Sequence, residues 1–121
     1  MKIYNAEVFL GKAFVLGGVE FEDRILTAGS DVTDGEIDAE GGYLIPGLID
    51  IHTHGAVGVD VSDADPAGLG RLGEYYAASG VTSWCPTTMT LKEEDLFAAV
   101  RSICTYERTA AGAKMAGIHL E

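Results

Sequence analysis

The chain has 121 residues, 47% of them apolar, with 8 basic and 19 acidic side chains for a formal net charge of −11. That length suits one ordinary domain or part of a larger one, and so apolar a chain is not an intrinsically disordered one. Nucleic acid is excluded as a partner by the acidity, and no apolar run approaches the roughly 18 residues of a membrane span.

Negative charge on this scale serves cation binding or solubility equally well. At the N-terminus, Lys2 is followed by polar Asn5 and acidic Glu7, which leaves no apolar stretch for a signal peptide and leads us to expect a cytoplasmic protein. Cys85 and Cys104 form neither a close redox pair nor a disulfide framework, so two buried, reduced thiols are expected. Glycine, at 16 residues, is near twice its usual share of about 7%, which implies many tight turns.

Through residue 45, short β-favouring pieces (3–10, 13–16, 19–21, 25–28 and 43–45) alternate with Gly11, Gly17-Gly18, Gly29-Ser30, Asp34-Gly35 and Gly41-Gly42. This spacing predicts a small antiparallel β unit, with Asp34-Gly35 as a hairpin turn.

From Pro46 the rhythm changes. Residues 48–54 read as a mostly apolar strand, and a glycine-rich loop runs to Asp63. Asp65-Pro66 starts a helix with Leu69, Leu72 and Tyr76 on one face, and Gly80 closes it. Residues 81–85 form a strand stopped by Pro86. Thr90 to Glu93 has capping-box spacing ahead of a helix whose Leu96, Val100, Ile103 and Cys104 make a buried stripe. Gly112 ends that helix, and 115–121 is a third strand. Strand, helix, strand, helix, strand predicts an α/β fold with parallel strands and helices on one side. Parallel sheets are normally buried on both faces, so a face and an edge of this one need a cover.

His52-Thr53-His54 is the first candidate site. Side chains two apart on a strand share a face, about 7 Å apart along the backbone, so both imidazoles can converge on one metal ion. Asp50 shares that face, while Ile49 and Ile51 turn toward the helices. The competing reading is an exposed edge strand with incidental histidines. On the third strand, alternation puts His119, Gly117 and Met115 on one face and Leu120, Ile118 and Ala116 on the helix side. Glu121 then points inward at the carboxyl end of its strand, where His52 and His54 also sit and where sites of parallel α/β folds assemble. Glu121 is a third ligand on this reading, and a solvent-exposed carboxylate otherwise. His119 is a core histidine or a group that supports a ligand.

Other polar groups have weaker patterns. The loop after His54 lacks the lysine and spacing of a phosphate-binding loop. Asp60 and Asp63 suit capping or, alternatively, substrate contact. Thr87-Thr88 end the second strand on the site side, and Glu93-Glu94-Asp95 form a solvated first helical turn.

The run from Asp38 through Pro46-Gly47-Leu48-Ile49-Asp50-Ile51-His52-Thr53-His54-Gly55 resembles the start of the metal-dependent amidohydrolase superfamily. Residues 55–63, 80–88 and 117–121 narrow the resemblance to its N-acetylglucosamine-6-phosphate deacetylases. The resemblance implies a small antiparallel β-sandwich unit (1–45) leading into the first three strands of a (β/α)8 TIM barrel (46–121). It implies hydrolysis of a phosphorylated amino sugar to glucosamine 6-phosphate and acetate, by a cytoplasmic homodimer. His52, His54 and Glu121 become metal ligands, joined by two histidines from later strands, with zinc as the ion and one or two ions bound. The catalytic base is an aspartate on a late strand, so no catalytic acid or base falls within these residues. A barrel takes about 250 residues, and the remainder of one is therefore required for activity. Other amidohydrolases, of dihydroorotase, deaminase or aminoacylase type, and a non-catalytic metal-binding or interaction module, are the alternatives.

Overall fold

Two glycines in the first 45 residues decide how that segment folds. In a computed structural model, which describes residues 1–121, β1 (Lys2–Phe9), β2 (Phe14–Phe21) and β3 (Ile25–Gly29) pair antiparallel in sequence. Gly17 and Gly18 do not turn the chain; they lie inside β2. A Cβ at Gly17 would run into the Gly29 carbonyl, and one at Gly18 into the Ile3 carbonyl, so both positions serve close backbone passage.

Nor does Asp34-Gly35 make a hairpin. The chain crosses from β3 to β4 (Ile37–Asp38), which lies parallel to β1, as does β5 (Tyr43–Leu44). Gly35 passes so close to Lys2 that a Cβ would strike it, and the Lys2 N–H donates to Glu36 Oε2 at 2.6 Å. The expected antiparallel sandwich is therefore a single mixed, five-stranded sheet. Its core is Ala6, Val8 and Val19, flanked by Phe21, Ala39 and Leu44. At Asn5 the backbone enters the left-handed region (φ 54°) and breaks the β1–β2 register, while the Asn5 amide donates to Asp38 Oδ1 at 2.7 Å. Met1–Pro46 forms one compact unit and Gly47–Glu121 a second.

In the second unit, β6 (Leu48–Thr53) leads to a tight hairpin of β7 (Gly55–Ala56) and β8 (Val59–Asp60). Val57 and Gly58 at its tip both have positive φ, as a two-residue primed turn requires. A 3₁₀ turn at Val61–Asp63 precedes α1 (Pro66–Ala78), which Asp65 caps by accepting the Ala67 N–H at 3.0 Å. Then follow β9 (Val81–Pro86), α2 (Glu93–Thr105) and β10 (Lys114–Met115). The sheet order is β10-β9-β6 and both pairings are parallel, an α/β arrangement with β9 central. Leu69, Leu72 and Tyr76 of α1 pack with Trp84, Ile103, Val59, Val61 and Ala113 in one core. No helix is long and apolar enough to cross a membrane.

Several details depart from strict periodicity. The helix α2 starts at Glu93, so Lys92, not Thr90, is its N-cap, and an ammonium group, which only donates, makes no side-chain cap bond. Its buried face is Ala99, Ser102 and Ile103. Cys104 is exposed and Cys85 half-buried, both free, so neither is the buried thiol expected. The third strand is only two residues long in regular form. Beyond it, Ala116 N–H still donates to Trp84 O (2.9 Å) and His119 N–H to Pro86 O (3.0 Å).

The pairings Met115 with Trp84 and His119 with Thr87 leave one extra residue on the third strand, a bulge that changes which faces its side chains take. Met115 and Ile118 therefore both pack on the core, whereas Leu120 is 66% exposed. A similar irregularity falls between Asp50 and Thr53 of β6. Ile49 and Ile51 remain 66% and 68% exposed on β6, the edge strand of this sheet, instead of meeting the helices, and Thr53 is the buried residue.

Because Gly17 abuts backbone rather than a yielding side chain, Gly17→Ala in the full-length protein is expected to cost about 3 kcal/mol, the upper end of ordinary overpacking. Urea unfolding measures this. Wild-type stability would contradict the close-passage role.

Candidate metal centre

Thr53 is the residue that orients its two histidine neighbours. Its N–H donates to Thr87 Oγ1 at 3.0 Å, its carbonyl accepts the Thr87 N–H at 2.8 Å, and its hydroxyl shares a 2.6 Å hydrogen bond with Tyr76 OH. With Thr53 held against β9 and α1, alternation turns His52 and His54 to the opposite face. Burial pushes the Tyr76 phenol above its ordinary pKa, more than the Thr53 hydroxyl pulls it down. The phenol is therefore a neutral partner for that hydroxyl at ordinary pH.

The third strand is tied to the same strand end. Thr88 N–H donates to His119 O at 3.1 Å, and Glu121 N–H donates to Thr88 Oγ1 at 3.2 Å. The Glu121 carboxylate thereby meets both imidazoles. Its Oε2 lies 3.1 Å from His54 Nε2 and 3.4 Å from His52 Nε2, and the two Nε2 atoms are 3.4 Å apart.

These separations fit a shared ion. Ligands at about 2.1 Å from a tetrahedral metal lie about 3.4 Å from one another. Two imidazole nitrogens and a carboxylate oxygen form a donor set for zinc or another borderline divalent ion. His54 is further prepared: its Nδ1 is 3.2 Å from Thr87 O, and since a carbonyl only accepts, Nδ1 is the donor there and Nε2 is the nitrogen that faces the group. The three side chains are about half exposed, so solvent reaches the group.

Not every polar residue with a candidate role joins the cluster. Asp50 Oδ1 accepts the His52 N–H at 3.0 Å instead of facing the group. Asp60 and Asp63 cap the 3₁₀ turn, Ser62 N–H donating to Asp60 Oδ1 (2.7 Å) and Asp60 N–H to Asp63 Oδ2 (2.9 Å). A groove of about 650 Å³ lined by Ile103, Tyr106, Arg108, Lys114 and Ile118 includes none of the three residues. Sequence reasoning missed the Thr53–Tyr76 pair; its only trace was a phenol within the apolar stripe of α1.

No protein-family model matches the chain. It is 42% identical over 87 residues to the N-acetylgalactosamine-6-phosphate deacetylase of Escherichia coli O157:H7, covering 71% of this chain and 22% of that protein. It is 36% identical over 93 residues to the human N-acetylglucosamine-6-phosphate deacetylase, covering 74% and 23%. Among solved structures, the Mycobacterium smegmatis N-acetyl-D-glucosamine-6-phosphate deacetylase superposes with a TM-score of 0.81 at 26% identity, covering 100% of this chain and 35% of that one. The Thermotoga maritima N-acetylglucosamine-6-phosphate deacetylase gives 0.76 at 25% identity, covering 99% and 31%. The chain thus spans about a fifth of the length of the curated relatives it matches.

Removing one partner of the Thr53–Tyr76 bond strands a buried hydroxyl. Tyr76→Phe and Thr53→Val are each expected to cost about 1–3 kcal/mol, and the double variant less than their sum. Urea unfolding of all four proteins checks the coupling, and strict additivity would contradict it.

Proposed function

We propose, on the premise that this chain is kin to those deacetylases in both sequence and fold, that it carries part of the metal centre of an amide hydrolase. The reaction is deacetylation of N-acetylglucosamine 6-phosphate to glucosamine 6-phosphate and acetate. The observation that carries this reading is the convergence of His52, His54 and Glu121 at the carboxyl ends of parallel strands. Sites of (β/α)8 barrels assemble at those ends, and we read β6, β9 and β10 as the first three barrel strands, within residues 46–121. Residues 1–45 are then the β domain that precedes the barrel.

His52, His54 and Glu121 would hold the ion, with zinc the first choice for this donor set. A divalent ion bound there would lower the pKa of a water molecule and polarise the amide carbonyl. The chain's own residues supply placement. Thr87 O orients His54, and Thr88 Oγ1 fixes the backbone that presents Glu121. No second carboxylate joins the cluster. The proton transfers to the leaving amine therefore need a base from elsewhere, which the resemblance assigns to an aspartate on a later strand. A cytoplasmic homodimer completes the reading on the resemblance alone.

One observation favours a second substrate: the relative with 42% identity is named for the galactosamine epimer. Both sugar phosphates carry the same acetamide, so acetate release by the full-length protein with added zinc should be compared on the two. Turnover of N-acetylglucosamine 6-phosphate, lowered at least about 100-fold by Glu121→Gln, is the expected result. Preference for the epimer selects the second substrate. Release from neither overturns the proposal. The 121-residue chain alone is expected to release none.

A further inference from the structure

We propose that His119 is a positioning residue that acts through His52, bracing its ring toward Glu121. The inference rests on the reading of His52, His54 and Glu121 as ligands and adds a fourth residue that touches no ion.

The two histidines of β6 differ in how their rings are held. A ligating imidazole ordinarily donates its second ring N–H to an acceptor, which fixes both tautomer and orientation. His54 has such an acceptor in Thr87 O at 3.2 Å. No acceptor lies against His52 Nδ1; the ring's only polar contacts are His54 Nε2 and Glu121 Oε2, both at Nε2. What lies against it instead is the His119 ring, with centroids 4.5 Å apart and planes at 63°, an edge-to-face arrangement.

His119 is itself fixed at three points. Its N–H donates to Pro86 O at 3.0 Å and its carbonyl accepts the Thr88 N–H at 3.1 Å, so its backbone is paired to the end of β9. Its side chain then reaches a residue 68 positions earlier, Nδ1 lying 3.0 Å from Ile51 O. A carbonyl only accepts, so Nδ1 is the donor in this contact. Ile51 falls in the irregular stretch of β6 between Asp50 and Thr53, where the ladder to β9 skips a residue. The ring that braces His52 is thus anchored on the residue immediately before it.

The test separates bracing of His52 from a general structural role. His119→Asn keeps an N–H donor near the Nδ1 position for Ile51 O and removes the rest of the ring. Zn²⁺ affinity of the full-length protein, measured by competition with a chromophoric chelator, is expected to fall about 10-fold, toward 100-fold in His119→Ala. In a His52→Ala background His119→Asn should cause no further loss, because the residue acts through His52. Wild-type affinity in both His119 variants, or an equal additional loss in the His52→Ala background, would overturn the inference while leaving the ligand reading intact. A wild-type protein that takes up no Zn²⁺, or a His52→Ala variant that binds as tightly as wild type, overturns the ligand reading and the inference with it.

Discussion

At the end of β9, Thr87 and Thr88 hold the strands on either side. The Thr87 hydroxyl accepts the Thr53 N–H and its backbone N–H donates to Thr53 O, while the Thr88 hydroxyl accepts the Glu121 N–H. Both threonines are fully buried, so these bonds are made away from competing water. Residues 52, 54 and 121, remote in sequence, arrive within hydrogen-bonding distance because one strand end positions both of its neighbours. A β-branched residue with a hydroxyl suits that place: it fills the pleat and also gives a neighbouring N–H an acceptor.

Much of this arrangement is legible in the sequence. Histidines two apart on a strand must share a face, and counting back from Glu121 put a carboxylate at the equivalent height on a neighbouring strand. Asp65-Pro66 and the Leu69, Leu72, Tyr76 stripe mark α1 because capping and helical spacing are local properties of the chain. The misreadings have a common cause. Gly17 and Gly18 look like turn residues, yet what requires glycine there is the passage of Gly29 and Ile3, which no local signal reports. Asp34-Gly35 fails as a hairpin for the same kind of reason, since Gly35 is needed for its approach to Lys2.

A bulge and an open sheet edge account for the rest. Strict alternation assigned Ile49, Ile51 and Leu120 to the helices. The skip between Met115 and His119 breaks that alternation for Leu120, while Ile49 and Ile51 lie on the edge strand β6, and all three are exposed. A one-residue shift moves side chains to the other face of a sheet, so period-two reasoning holds only up to the first bulge. Two irregularities border the site, one in β6 between Asp50 and Thr53 and one on the third strand between Met115 and His119. The first bulge lies where Ile51 O meets the His119 ring, and the second lies in the segment that delivers His119 and Glu121.

The central claim is that His52, His54 and Glu121 hold one ion in common. Elemental analysis of the purified full-length protein beside His52→Ala, His54→Ala and Glu121→Gln tests it most directly. The account predicts bound divalent metal in the wild-type protein and a clear reduction in each variant. Equal metal content in all four proteins would contradict it and return the three side chains to a solvated ion pair.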